Sequence, residues 1–192
     1  HTRLQGDWSS DVCSSDLVQG PGEVDVIGDM ILVLDQNLQV VWAWDAFDYL
    51  DVTRIALADQ KCSPGSGGCP AFYLARQAND WLHGNSLQLT PDGNILYSAR
   101  HQDWLIKIRY ENGYGDGDVL WRLGKDGDFE FDGDVENPWF SHQHDGSQLD
   151  ARHVLVFDNG NMRRVADPQA NSRGQLFEID EETHRAKLVL NA

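Results

Sequence analysis

Leu87-Gln88-Leu89-Thr90-Pro91-Asp92-Gly93-Asn94-Ile95-Leu96-Tyr97-Ser98 reads as two short strands joined by a tight turn. Apolar residues recur on either side of the turn, Pro91 presets one dihedral, and Gly93 and Asn94 tolerate positive φ. A second unit of the same kind follows. Ser147-Gln148-Leu149-Asp150-Ala151-Arg152-His153 leads into Val154-Leu155-Val156-Phe157 and the turn-forming Asp158-Asn159-Gly160-Asn161. Each hairpin is succeeded by a further apolar run, Leu105-Ile106-Lys107-Ile108-Arg109 and Gln175-Leu176-Phe177-Glu178-Ile179-Asp180, and a matching run stands earlier at Met30-Ile31-Leu32-Val33-Leu34-Asp35. The earlier two of these runs lead across polar turns to tryptophan strands, Val40-Val41-Trp42-Ala43-Trp44 and Val119-Leu120-Trp121-Arg122-Leu123-Gly124; the third leads to Leu188-Val189-Leu190. Leu34, Ile108 and Ile179 then recur at intervals of 74 and 71 residues, which suits four-stranded blades that carry loop insertions. The expected fold is all-β, a β-propeller with about three blades in this chain.

In a propeller the innermost strand of each blade lines a central channel. His83, in Asp80-Trp81-Leu82-His83-Gly84-Asn85-Ser86, and His144, in Ser141-His142-Gln143-His144-Asp145-Gly146, both stand just ahead of a predicted innermost strand. They are expected to converge on the channel mouth. Arg100 follows the second strand of the first unit, and Arg163 and Arg164 follow the second strand of the other.

With 192 residues, 41% hydrophobic content and no apolar run that spans a bilayer, the chain can bury a real core. A formal net charge of -16 argues against nucleic acid and anionic membrane surfaces. His and Arg clustered in such a protein reverse the field locally, which draws a small anion to one spot. Arginine offers a fixed fork of donors for oxyanions, and a protonated histidine adds a positive donor. The acidic turns Asp116-Gly117-Asp118, Asp126-Gly127-Asp128 and Asp132-Gly133-Asp134 can hold calcium, yet none has the full EF-hand spacing.

Of three cysteines, Cys62 and Cys69 flank the flexible Ser-Pro-Gly-Ser-Gly-Gly and are expected to form a disulfide, which suits an exported protein. Near the start, Trp8-Ser9-Ser10-Asp11-Val12 and Cys13-Ser14-Ser15-Asp16-Leu17 repeat with no hydrophobic period. Residues 1–17 are set aside as a non-native, adaptor-like segment, Cys13 with them, leaving 18–192 as a partial propeller domain. The chain stops in or just after a strand at Ala192, so a fragment is expected, with open strand edges that favour self-association.

The strings Asp80-Trp81-Leu82-His83-Gly84-Asn85-Ser86, Gln143-His144 and Phe157-Asp158-Asn159-Gly160-Asn161 with the arginines after it, and Trp121-Arg122-Leu123-Gly124 between them, resemble the bacterial arylsulfotransferase family, whose members do not use the nucleotide sulfate donor. The resemblance runs from about residue 24 to Ala192. It implies a six-bladed propeller, periplasmic or extracellular, that moves a sulfuryl group from an aryl sulfate to a phenol through a sulfo-histidine. His83, His144 and Arg163 match positions that bind the transferred sulfate and stabilise its charge. Asn85, Arg100, His142 and Arg164 stand beside them as candidate substrate-binding residues. No cofactor and no metal are called for, the partners are small-molecule donor and acceptor, and a homo-oligomer is possible. The family's nucleophilic histidine lies in a later blade and is expected beyond Ala192, since His184 sits in the polar turn Glu181-Glu182-Thr183-His184-Arg185.

Two other classes compete. His142 and His144, at i and i+2, can chelate a transition metal with His83 or His101 in a metal-dependent hydrolase. A non-enzymatic propeller would instead bind proteins or glycans through rim aromatics such as Trp81, Trp104 and Trp139.

Overall fold

The computed structural model describes residues 25–55, 61–62 and 78–192. The segment 1–17 and the Cys62–Cys69 loop lie outside the described residues, apart from the Lys61–Cys62 strand. The chain divides into two compact units, His1–His83 and Gly84–Ala192. Both are built mainly of strands.

In the first unit β1 (Asp25–Ile27), β2 (Met30–Leu34), β3 (Val40–Asp45), a helical turn α1 (Ala46–Tyr49), β4 (Lys61–Cys62) and β5 (Ala78–Asp80) follow in order. β2 and β3 form the expected hairpin, turned at Asp35, whose Oδ1 accepts the amides of Asn37 at 2.8 Å and Gln39 at 2.9 Å. Asp45 caps α1 by accepting from the Phe47 amide at 3.0 Å. β5 pairs in parallel with β1 and antiparallel with β4.

The second unit holds two sheets. In one, β6 (Gly84–Leu89), β7 (Ile95–Ala99), β8 (Trp104–Ile108) and β9 (Val119–Gly124) run as an antiparallel meander in chain order. The Thr90–Asn94 turn closes β6 on β7, with the Gly93 amide donating to the Thr90 carbonyl at 2.9 Å and Gly93 at φ 83. Every residue of β7 and β8 is buried, as expected for middle strands covered on both faces.

The other sheet has the order β10-β14-β13-β12-β11, from β10 (Glu130–Phe131), β11 (His144–Gln148), β12 (His153–Asp158), β13 (Arg173–Asp180) and β14 (Arg185–Asn191), with the short helix α2 (Asn161–Ala166) between β12 and β13. β10 joins β14 in parallel, and the other pairs are antiparallel. Leu96, Leu105, Trp121, Leu123 and Phe129 pack against Phe140, Val154, Val156, Phe177 and Ile179 to form the core of this unit.

The repeat read from the sequence recurs in backbone detail. β3 carries an extra residue at Val41 opposite β2, and β9 carries one at Leu120 opposite β8, each just before its tryptophan. The first strands of the two large sheets are bulged as well, between Gly84 and Ser86 in β6 and between His144 and Ser147 in β11. These first strands adjoin. The Gln88 side chain accepts from the Gln148 amide at 2.7 Å and donates to the Gln148 carbonyl at 3.1 Å, and Ser86 Oγ accepts from the Gly146 amide at 3.2 Å.

Several expectations change. His83 precedes β6, whereas His144 is the first residue of β11, so the two do not occupy the same position. The tryptophans expected at a rim are packing residues: Trp81 and Trp104 are buried, and Trp139 stacks on Phe177 at 5.7 Å. The acidic turns hold arginines. Arg109 reaches Asp116 and Asp118, both at 3.1 Å, Arg122 reaches Asp128 at 3.3 Å, and Arg185 pairs with Asp132. No described helix is long and apolar enough to cross a membrane.

Candidate functional site

Antiparallel runs bring three connections of the second unit to one edge: the β7–β8 turn at Arg100–Asp103, the residues leading into β11, and the β12–β13 connection containing α2. A chain of hydrogen bonds links them. Asp103, buried and left-handed at φ 54, accepts the His142 amide at 2.6 Å, and the Ser141 carbonyl accepts the Gly160 amide at 3.2 Å.

At the centre lies Asp158, with no exposed surface. Its Oδ1 accepts the amides of Ser141 at 2.8 Å and Gly160 at 2.7 Å. Its Oδ2 accepts from Arg163 Nη2 and from Arg173 Nε, both at 2.9 Å. A buried carboxylate is costly unless its lone pairs are satisfied, and here four donors meet them. The neighbouring Asn159 Nδ2 lies 3.1 Å from His144 Nδ1. An amide donor there suits the tautomer in which Nδ1 accepts and Nε2 carries the ring proton.

Arg163 Nη2 also donates to the Asn171 carbonyl at 2.8 Å, so that end of the fork is committed. Among the described residues Arg163 Nε is buried without a hydrogen-bond partner. Arg164 is held differently: its Nε donates to the Ala170 carbonyl at 2.9 Å and its Nη2 to Ser172 Oγ at 3.0 Å, strapping the loop after α2. The one-residue choice between these two arginines is therefore a choice between a partly buried fork against Asp158 and an exposed loop strap.

The other residues read from the sequence fall as follows. His142 is fully buried at φ 51, with its ring 5.5 Å from that of His101 and its Nδ1 3.1 Å from Asp103 Oδ1. β11 begins only at His144, so strand alternation does not place His142 and His144 on one side, and the chelate idea loses its geometric basis. Arg100 Nη1 lies 2.5 Å from His101 Nε2. Asn85 Nδ2 donates to the Gln143 carbonyl at 2.7 Å, tying β6 to the approach to β11. Gln143 Nε2 in turn faces Ser98 Oγ at 3.0 Å and the Trp104 carbonyl at 2.9 Å. His83 belongs to the first unit, where its Nδ1 pairs with Asp80 beside Trp81, whose Nε1 donates to the Arg54 carbonyl at 2.8 Å.

Sequence reading missed the roles of Asp158, Asn159 and Arg173, although the first two lie inside a quoted motif. The available signal was the β12 alternation, in which Val154, Val156 and Asp158 share the inward face. A charged residue on that face needs partners.

A buried carboxylate flanked by two guanidinium groups, with a histidine beside it, lies at one edge of an all-β protein. The chain matches the family model described as Arylsulfotransferase (ASST) over residues 10–192, and it belongs to that family. Membership places it among arylsulfotransferase-type enzymes at the level of the family. Comparison with curated proteins gives no match.

Proposed function

We propose that this protein transfers a sulfuryl group from an aryl sulfate to a phenolic acceptor, with His144 and Arg163 as donors to the transferred group. The observation that carries this is the adjacent pair Asp158 and Asn159: one holds Arg163, the other holds His144. One motif thus supports two donors suited to a tetrahedral oxyanion. We also propose that the two sheets of the second unit are neighbouring blades of a β-propeller, which their bulged, adjoining first strands support.

In the reaction a histidine nitrogen attacks sulfur, the sulfur–aryl oxygen bond breaks, and a phenolate leaves. The acceptor oxygen then attacks sulfur, the nitrogen–sulfur bond breaks, and the acceptor proton passes to a base. Charge spreads over the equatorial oxygens, where His144 Nε2–H and the Arg163 fork would stabilise it. His184 is not the carrier in this scheme, since it lies in the β13–β14 turn against Phe129, at the end of the sheet opposite His144. Export to the periplasm or beyond belongs to the same proposal.

The test uses the protein expressed from its own gene, 4-nitrophenyl sulfate as donor and phenol as acceptor. His144→Ala and Arg163→Lys should each lower transfer by about 10²-fold or more. Undiminished transfer in both variants would reject the assignment.

A further inference from the structure

We propose that Asp158 is a positioning residue that sets Arg163 for the sulfate, a role that rests on the arylsulfate reading above. Its carboxylate is fully buried. It takes Arg163 Nη2 at 2.9 Å on the oxygen that also takes Arg173 Nε at 2.9 Å, and the Asn171 carbonyl takes Nη2 at 2.8 Å. Both hydrogens of Nη2 are thereby used. No hydrogen bond from Nη1 is found among the described residues, and its donors are assigned to the anion.

Charge and connectivity support the assignment. One carboxylate between two guanidinium groups leaves the cluster positive, so Asp158 orients Arg163 without cancelling the attraction for an anionic sulfate group. Through Oδ1 the same carboxylate binds the Ser141 and Gly160 amides, which ties the approach to β11 to the start of α2. Ser141 Oγ adds a bond from the Met162 amide at 3.1 Å. His144 and Arg163 are thus held through one buried group and its neighbour Asn159.

Gly160 gives a second handle on the same contact. It sits at φ 70, and a Cβ there would lie 2.5 Å from Arg163 Nη2 and 3.1 Å from Cζ. Gly160→Ala therefore presses on the guanidinium and strains a left-handed residue whose amide binds Asp158, disturbing the same contact from both sides.

The experiment measures inorganic sulfate binding by isothermal titration calorimetry in a double-mutant cycle. Arg163→Lys and Asp158→Asn should each weaken binding about tenfold, and the double variant should bind no more than about twofold worse than Arg163→Lys alone. Independent, multiplying losses would overturn the positioning role while leaving the arylsulfate reading intact. If Asp158→Asn does not fold, Gly160→Ala replaces it in the cycle, with the same non-additivity expected and the same multiplying losses fatal. Absence of sulfate binding in the unaltered protein would remove the arylsulfate reading and the positioning role with it.

Discussion

Removing a buried lysine should be milder than removing its partners. Lys107, in the middle strand β8, has only 1% of its side chain exposed, yet it carries a charge between the two sheets of the second unit. Its Nζ lies 2.7 Å from Asp92 in the β6–β7 turn and 2.7 Å from Glu181 in the β13–β14 turn, and 5.7 Å from the centroid of Trp121. The carboxylate side chains are 50% and 30% exposed, so water reaches both once the lysine is gone. Lys107→Met removes the desolvated charge and keeps most of the volume, and stability should change by no more than about 1 kcal/mol. Asp92→Asn with Glu181→Gln leaves the ammonium buried and uncompensated, at a cost of about 3–5 kcal/mol. Urea unfolding followed by tryptophan fluorescence distinguishes them. Equal losses in the two variants would refute the reasoning.

The same cluster sets an acid response. Burial works to raise the Asp92 pKa, but hydrogen bonds from Lys107 and Thr90 and the charge of Lys107 outweigh it, lowering the value from 3.8 to about 2. A group depressed in the folded state stabilises above its unfolded pKa and loses that contribution as pH falls through the folded value. At ~1.4 kcal/mol per pH unit the bound is about 2.5 kcal/mol, which solvent screening of a half-exposed carboxylate reduces to about 1 kcal/mol. The stability gap between the unaltered protein and Asp92→Asn should therefore close as pH falls from about 4 to about 2. A gap that stays constant over that window would show that Lys107 does not hold Asp92.

Gly146→Ala should destabilise by about 1–3 kcal/mol, because its Cβ would run into Leu105, which is fully buried where β11 meets the first sheet. A thermal melt unchanged from the parent would mean the sheets can part there without cost. If Cys62 and Cys69 are bridged, neither should take up iodoacetamide in the unreduced protein and both should once it is reduced and unfolded, read by peptide mass. Adducts on both cysteines without reductant would count against both the bridge and the export it supports.

What was legible in the sequence was local. Alternation and turn chemistry located β6–β7 around Pro91-Asp92-Gly93-Asn94, and the spacing of apolar and tryptophan strands anticipated β2–β3 and β8–β9 down to the placement of Trp42 and Trp121. β10 escaped because a two-residue parallel strand has no period, and its partner Arg185 stands 55 residues from Glu130. The candidate edge was half legible for a related reason. Residue type marked His144 and Arg163 as anion donors, but what makes them a site is supplied across the fold. Ser141 and Arg173 reach Asp158 from 17 residues before and 15 after it, and Gln88 meets Gln148 across 60. Such partnerships leave one kind of trace in a single chain, a polar residue on an inward register, as at Asp158 on β12 and Lys107 on β8. In Asp158 that trace marks the carboxylate that holds Arg163, the arginine proposed to bind the anion. In Lys107 it marks a strut between sheets with no bearing on the proposed site, so the register exposes a buried charge while only its neighbours reveal what the charge is for.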